Sequence, residues 1–135
     1  MRAALALVVL IVAGCGSLGQ VDDAETMSQL GSELTYLSRS VDAQLLEEPV
    51  GSAVSDNELL ARSTAHDPGL LSPFKEYELR VLRGGTAAVL LVCTKDAARG
   101  LLEDAGCTAR LDNSLWKRSN APCTFTIDPS VACGR

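Results

Sequence analysis

The chain has 135 residues, 47% of them hydrophobic, with five Cys, one His and a formal net charge of -5. That length favours one domain and is too small for a multi-domain enzyme, and seventeen acidic against twelve basic residues leave no basic field for a phosphate backbone, so nucleic acid is not an expected partner. A single His excludes any multi-His metal site, and no metal or small-molecule cofactor is expected.

The first element is not part of the fold. Arg2 supplies a positive start, and Ala3 through Ala13 form an uninterrupted apolar run of eleven residues. A permanent transmembrane helix needs about 20, so the run reads as the core of a signal peptide. It ends in Val12-Ala13-Gly14-Cys15, an aliphatic residue, two small residues and Cys. This motif resembles the lipobox of bacterial lipoproteins, and the resemblance covers residues 1–15 only. It implies removal of residues 1–14 by cleavage between Gly14 and Cys15, and attachment of acyl chains to Cys15. Gly16 stands where an Asp would retain such a protein at the inner membrane, so the resemblance points to the outer membrane and its periplasmic face. Each buried methylene contributes about 0.8 kcal/mol, which makes two or three acyl chains a durable anchor.

Residues 15–21 are small and carry no charge, as suits a lipidated tether, and residues 22–135 read as a single domain. From Asp22, with Asp23 and Glu25 at its positive end, the spacing of Met27, Leu30, Leu34, Leu37 and Val41 predicts a helix with one apolar stripe, ended by Pro49. The stripe spans fewer than three heptads, and Gln44 falls at the next apolar position. It therefore reads as packed on its own domain rather than as a coiled coil. Ser55-Asp56-Asn57-Glu58 predicts a second helix through a capping box, stopping near Ala65. His66-Asp67-Pro68-Gly69 predicts a turn, and the lone His66 is not read as catalytic.

Residues 75–93 carry the strongest strand signal, two β-rich runs about Gly84-Gly85. Placing the turn there pairs Arg83 with Thr86, Val81 with Ala88 and Leu79 with Leu90, and makes the first strand an edge and the second, apolar on both faces, central. Ala97, Ala98, Leu101, Leu102 and Ala105 follow helical spacing, although Gly100 weakens it, and Cys123–Ile127 alternates like a strand that would neighbour the central one. The expected architecture is α+β: N-terminal amphipathic helices on a small antiparallel sheet of three or four strands.

With Cys15 assigned to lipid, Cys93, Cys107, Cys123 and Cys133 remain, an even number without a CxxC pair. In a chain addressed to an oxidising compartment they are expected to form two disulfides. Chain reversals near Gly100 and Asp128 favour Cys93 with Cys107 and Cys123 with Cys133, but a helix over 95–105 would hold the first pair roughly 15 Å apart, so a crossed pairing stays open.

No catalytic set is visible. The adjacent carboxylates Asp22-Asp23, Glu47-Glu48 and Glu103-Asp104 diverge by about 100° on a helix instead of flanking one bond. There is no GxSxG elbow and no Gly-rich phosphate loop. Charge divides along the chain: residues 15–73 hold two basic and ten acidic groups, residues 74–135 nine and seven. Arg83 beside the turn and Trp116 between Leu115 and Lys117-Arg118 are the candidate contact residues, the alternative for Trp116 being a place in the core. The expectation is a non-enzymatic lipoprotein that meets the membrane through its lipid and serves an envelope protein as an interaction or assembly module. The alternative is a small inhibitor that inserts the loop Leu82–Thr86 into a hydrolase.

Overall fold

A computed structural model describes residues 24–108 and 116–134, so the signal run, the Gly14-Cys15 junction, the tether and Asp22-Asp23 lie outside the described residues. The expected α+β architecture is present: the two longer helices on one side of a three-stranded antiparallel sheet, with two disulfides.

Helix α1 (Ala24–Glu47) buries Met27, Leu30, Leu34, Leu37, Val41 and Leu45, the expected stripe carried one turn further by Leu45. Burying a Leu or Val stabilises by about 1.5 to 3 kcal/mol, so this stripe is the main force holding α1 on the sheet. A second buried stripe, Gly31, Thr35, Ser38 and Asp42, runs beside it. Helix α2 (Asp56–Ser63) starts at Ser55, whose hydroxyl accepts from Glu58 N at 3.2 Å. Only half of the expected capping box forms, because the Glu58 carboxylate takes Arg62 at 2.6 Å. Asp67 then caps a 3-10 helix over Pro68–Phe74 by accepting from Gly69 N, one element more than the predicted turn.

Strands β1 (Tyr77–Gly84) and β2 (Ala87–Thr94) form the expected hairpin, and β2 is central and buried along nearly its whole length. Their register is Arg83 with Ala88, Val81 with Leu90 and Leu79 with Val92, two residues from the expected one. The two turn residues are Gly85 and Thr86, and of these Gly85 alone has positive φ, at 66°, the sign pattern of a type II′ turn. Gly84 stays in the strand because Pro129 lies on it: a Cβ there would stand 2.6 Å from Pro129 Cγ. A two-residue slip leaves every side chain on its expected face, which is why the expected faces hold although the pairing does not.

The segment read as helical is instead a turn followed by strand β3 (Gly100–Ala105), paired to β2 through Leu102 with Val92 and Asp104 with Leu90. Local propensity loses here because β2 presents an apolar strand edge whose backbone groups need partners. The turn is built against a helix. Asp96 Oδ1 accepts from Thr94 Oγ1 at 2.6 Å and Ala98 N at 3.1 Å, and Ala97 takes a φ of 58°. Gly100 marks a close approach, since a Cβ there would meet Pro122 O at 2.8 Å.

The expected strand at Cys123–Ile127 is not one. Among the described residues, the outer edge of β3 is met by residues 116–122, with Lys117 N donating to Leu101 O at 2.8 Å and Gly100 N to Ala121 O at 2.9 Å. Residues 123–127 lie over the sheet face opposite α1, where Cys123 and Phe125 pack on Leu91 and Cys93. A short helix, α3 (Pro129–Ala132), capped by Asp128, ends the described chain.

The disulfides are Cys93–Cys123 and Cys107–Cys133, so the favoured pairing is corrected to a crossed one. Cys93 faces Gly100 across the β2–β3 ladder, whereas Cys107 lies beyond Ala105 at the other end of β3. At about 3.3 Å per residue that places them roughly 20 Å apart, out of reach of a disulfide.

Candidate functional site

Successive residues of a strand point to opposite faces. Glu103 and Asp104, both 1% exposed, therefore place one buried carboxylate on each side of the sheet. The sequence argument had them diverging on a helix; they diverge on a strand, and neither flanks a common bond.

Glu103 faces the C-terminal segment. Its Oε1 accepts from Thr126 N and Ile127 N at 2.7 Å each, and its Oε2 accepts from Thr126 Oγ1 at 2.6 Å and is paired with Lys117 Nζ. Burial by itself pushes this carboxyl up, but the Ile127 amide, Lys117 and Thr126 together outweigh it and hold it below the usual range. Lys117 Nζ also donates to Thr126 Oγ1 at 2.8 Å and Thr124 O at 3.3 Å. A carboxylate with this many donors is a fastener and not a proton donor in waiting. It replaces the strand ladder that residues 123–127 lack.

Asp104 faces α1. Burial pushes its carboxyl up, and the hydroxyls of Thr35, Thr108 and Ser38 only partly oppose that. Each hydroxyl has one proton, and backbone carbonyls compete for all three: Thr35 Oγ1 donates to Gly31 O at 3.1 Å, Ser38 Oγ to Leu34 O at 2.8 Å, and Thr108 Oγ1 stands 2.8 Å from Ala105 O. Thr108 Oγ1 donates to Asp104 Oδ1 at 3.2 Å, while Asp104 Oδ2 is buried without a hydrogen bond. Gly106 lets this corner close, since a Cβ there would collide with Ser38 O and stand 2.9 Å from Asp42 Cβ.

Arg83 is not a free contact residue at the hairpin tip. Its guanidinium donates to Val54 O at 2.5 Å, Gly51 O at 3.3 Å and Asp56 Oδ1 at 3.4 Å, and so ties the hairpin to the loop between α1 and α2. The loop Leu82–Thr86 stays exposed in part at Leu82, Gly85 and Thr86. Arg80 does the same work on the opposite face by donating to Cys123 O at 3.2 Å.

Trp116 is half-buried against the α1 side of the core and pairs by a single bridge with Leu102. It also lines a cleft of about 200 Å³ with Ala24, Met27 and Leu101, rimmed by Arg99, Lys117 and Arg118. The two sequence readings of Trp116, core and contact, thus both apply to one side chain. Arg118 is exposed on that rim. The cleft stands at the first described turn of α1.

The disulfide candidates are brought together as two pairs, and His66 is exposed. Among the described residues, no group of three or more His, Cys, Asp or Glu could hold a metal ion, and no helix is long and apolar enough to cross a membrane. The roles of Glu103 and Lys117 were not legible in the sequence, because nothing local says that residues 103, 117 and 126 meet. No known family model, curated protein or solved structure matches this chain.

Proposed function

We propose that the protein belongs to the lipid-anchored proteins of the bacterial cell envelope. More narrowly, it is a lipoprotein held by Cys15 in the outer membrane, facing the periplasm, and it acts there as a non-enzymatic interaction or envelope-assembly module.

The observation that carries this reading is Val12-Ala13-Gly14-Cys15 at the end of an apolar run of eleven residues, Ala3–Ala13. The two disulfides support it, since such bonds form and persist in oxidising compartments. Residues 16–23 can span at most about 30 Å between Cys15 and Ala24, so an anchored domain keeps the start of α1 and the Trp116 cleft close to the membrane surface. That cleft, with exposed Arg118 on its rim, is the surface we assign to the partner. Against the inhibitor alternative, Arg83 is engaged inside the molecule rather than offered at a loop tip.

The test of the anchor is Cys15→Ser. Metabolic labelling with palmitate is expected to disappear and the protein to leave the membrane fraction; unchanged labelling and fractionation overturn the reading. Crosslinking in intact cells then tests the module. Arg118→Glu is expected to remove the main crosslinked partner, and an unchanged pattern takes the cleft out of the proposal.

A further inference from the structure

The two disulfides stand in different surroundings. Cys93 is 0% and Cys123 7% exposed, between Leu91 and Phe125. Cys107 and Cys133 are half-buried, and Cys133 lines an open groove of about 330 Å³ between the hairpin tip, 84–87, and Pro129. Thiol–disulfide exchange requires a thiolate to reach a sulfur, so access separates the two bonds before any other property does.

The segment that Cys133 holds is fastened by little else. Asp128 Oδ1 accepts from Ser130 N at 2.8 Å and Ser130 Oγ at 2.6 Å, Val131 N and Ala132 N donate to Asp128 O, and Cys133 N donates to Pro129 O. Among the described residues, the hydrogen bonds of residues 130–133 all close within this one turn. Val131 is 80% exposed, and Pro129, on Gly84, is the buried residue of α3. The chain just before it is held separately, by Cys93–Cys123 and by the bonds of Thr126 and Ile127 to Glu103. Opening Cys107–Cys133 therefore frees the chain from about residue 128 onward and leaves the sheet fastened.

We propose that Cys107–Cys133 is a thiol–disulfide exchange site for a dithiol reductant, opened while Cys93–Cys123 stays intact. One thiolate of the dithiol attacks Cys133 Sγ from the groove, the Sγ–Sγ bond breaks, and Cys107 leaves as a thiolate and takes a proton. The second thiol of the dithiol, as thiolate, attacks the mixed disulfide and releases Cys133, which is protonated in turn. The dithiol is oxidised by two electrons to a disulfide, and the protein gains two thiols. The released turn uncovers residues 84–87 of the hairpin. This inference rests on the fold alone and stands whether or not Cys15 is acylated.

The test uses the folded full chain, dithiothreitol as the dithiol at rising concentration and short exposure, alkylation to stop the reaction, and peptide mapping. The expected result is a species alkylated at Cys107 and Cys133 with Cys93–Cys123 still closed, the half-buried bond opening on the order of 10-fold or more faster than the buried one. Opening of Cys93–Cys123 first, or labelling of all four thiols together, overturns the proposal. A Cys107→Ser/Cys133→Ser double variant is expected to keep its β-sheet circular dichroism and its buried disulfide. Should that variant fail to fold, the order of alkylation in the unaltered chain still decides.

Discussion

Glu103 shows how one side chain can stand in for a missing element. Residues 123–127 have alternating strand character yet no strand beside them, and two of their amides end on Glu103 Oε1. The ion pair with Lys117 is almost dry, the two side chains being 2% and 9% exposed. Removing one partner of such a pair leaves a buried charge and costs about 3 to 5 kcal/mol, whereas removing both is often near neutral. Glu103→Gln keeps an acceptor for Thr126 N and Ile127 N but sets an amide against Lys117. It is expected to lower stability in urea unfolding by about 3 kcal/mol, and Lys117→Met added to it is expected to recover most of the loss. A double variant no more stable than the single one would show that the backbone bonds, not the charge pair, carry the effect.

At the scale of elements, the decisive contact is between α1 and the end of β3. The small and polar stripe Gly31, Thr35, Ser38 and Asp42 lets the chain at Gly106 reach the helix backbone itself, and a methyl group there would collide with Ser38 O. Overpacking a rigid backbone contact costs about 1 to 3 kcal/mol. Gly106→Ala is accordingly expected to cost about 2 kcal/mol or more and to lower the thermal midpoint; Gly51→Ala, which meets nothing within 4 Å, serves as the control. Equal midpoints for the two variants would disprove the close packing. The same region shows where element prediction from sequence failed. Ala97, Ala98, Leu101, Leu102 and Ala105 have helical spacing, but Asp96 closes a tight turn with Thr94 and Ala98, Ala97 adopts positive φ, and the edge of β2 recruits Gly100–Ala105 as a strand.

For the whole molecule, the buried carboxylates on the two faces of β3 pull the pH dependence of stability in opposite directions. Glu103, held low when folded, contributes stability present above the ordinary Glu range and lost as pH falls through its folded value. Asp104, pushed up when folded, contributes stability fully present below the ordinary Asp range and lost as pH rises through its folded value. Asp104→Asn abolishes the second effect. The variant is expected to gain thermal midpoint relative to wild type on going from pH 4 to pH 8, because only the wild type must then ionise a buried carboxyl. A difference between the two proteins that stays constant over that interval would refute the assignment. The crossed disulfides act on the same scale: they join the β2–β3 turn to residue 123 and the far end of β3 to residue 133, closing separations of 30 and 26 residues. In the chain-entropy account, loops of this length stabilise by about 3.5 kcal/mol each.

What the sequence determined by itself was whatever depends on neighbours along the chain. The buried stripe of α1 follows from the spacing of Met27, Leu30, Leu34, Leu37 and Val41, the start of α2 from Ser55, and the hairpin with its correct faces from alternation, which a slip of two residues does not disturb. The even set of four Cys gave the number of disulfides but not their partners. The tertiary structure alone decided everything that joins distant residues: which Cys meet, that residues 100–105 complete the sheet while 123–127 cross it, and that Glu103 finds Lys117 and Thr126. The physical reason is that local propensities differ by less than about 1 kcal/mol per residue, while pairing a bare strand edge and neutralising a buried charge are each worth more than that.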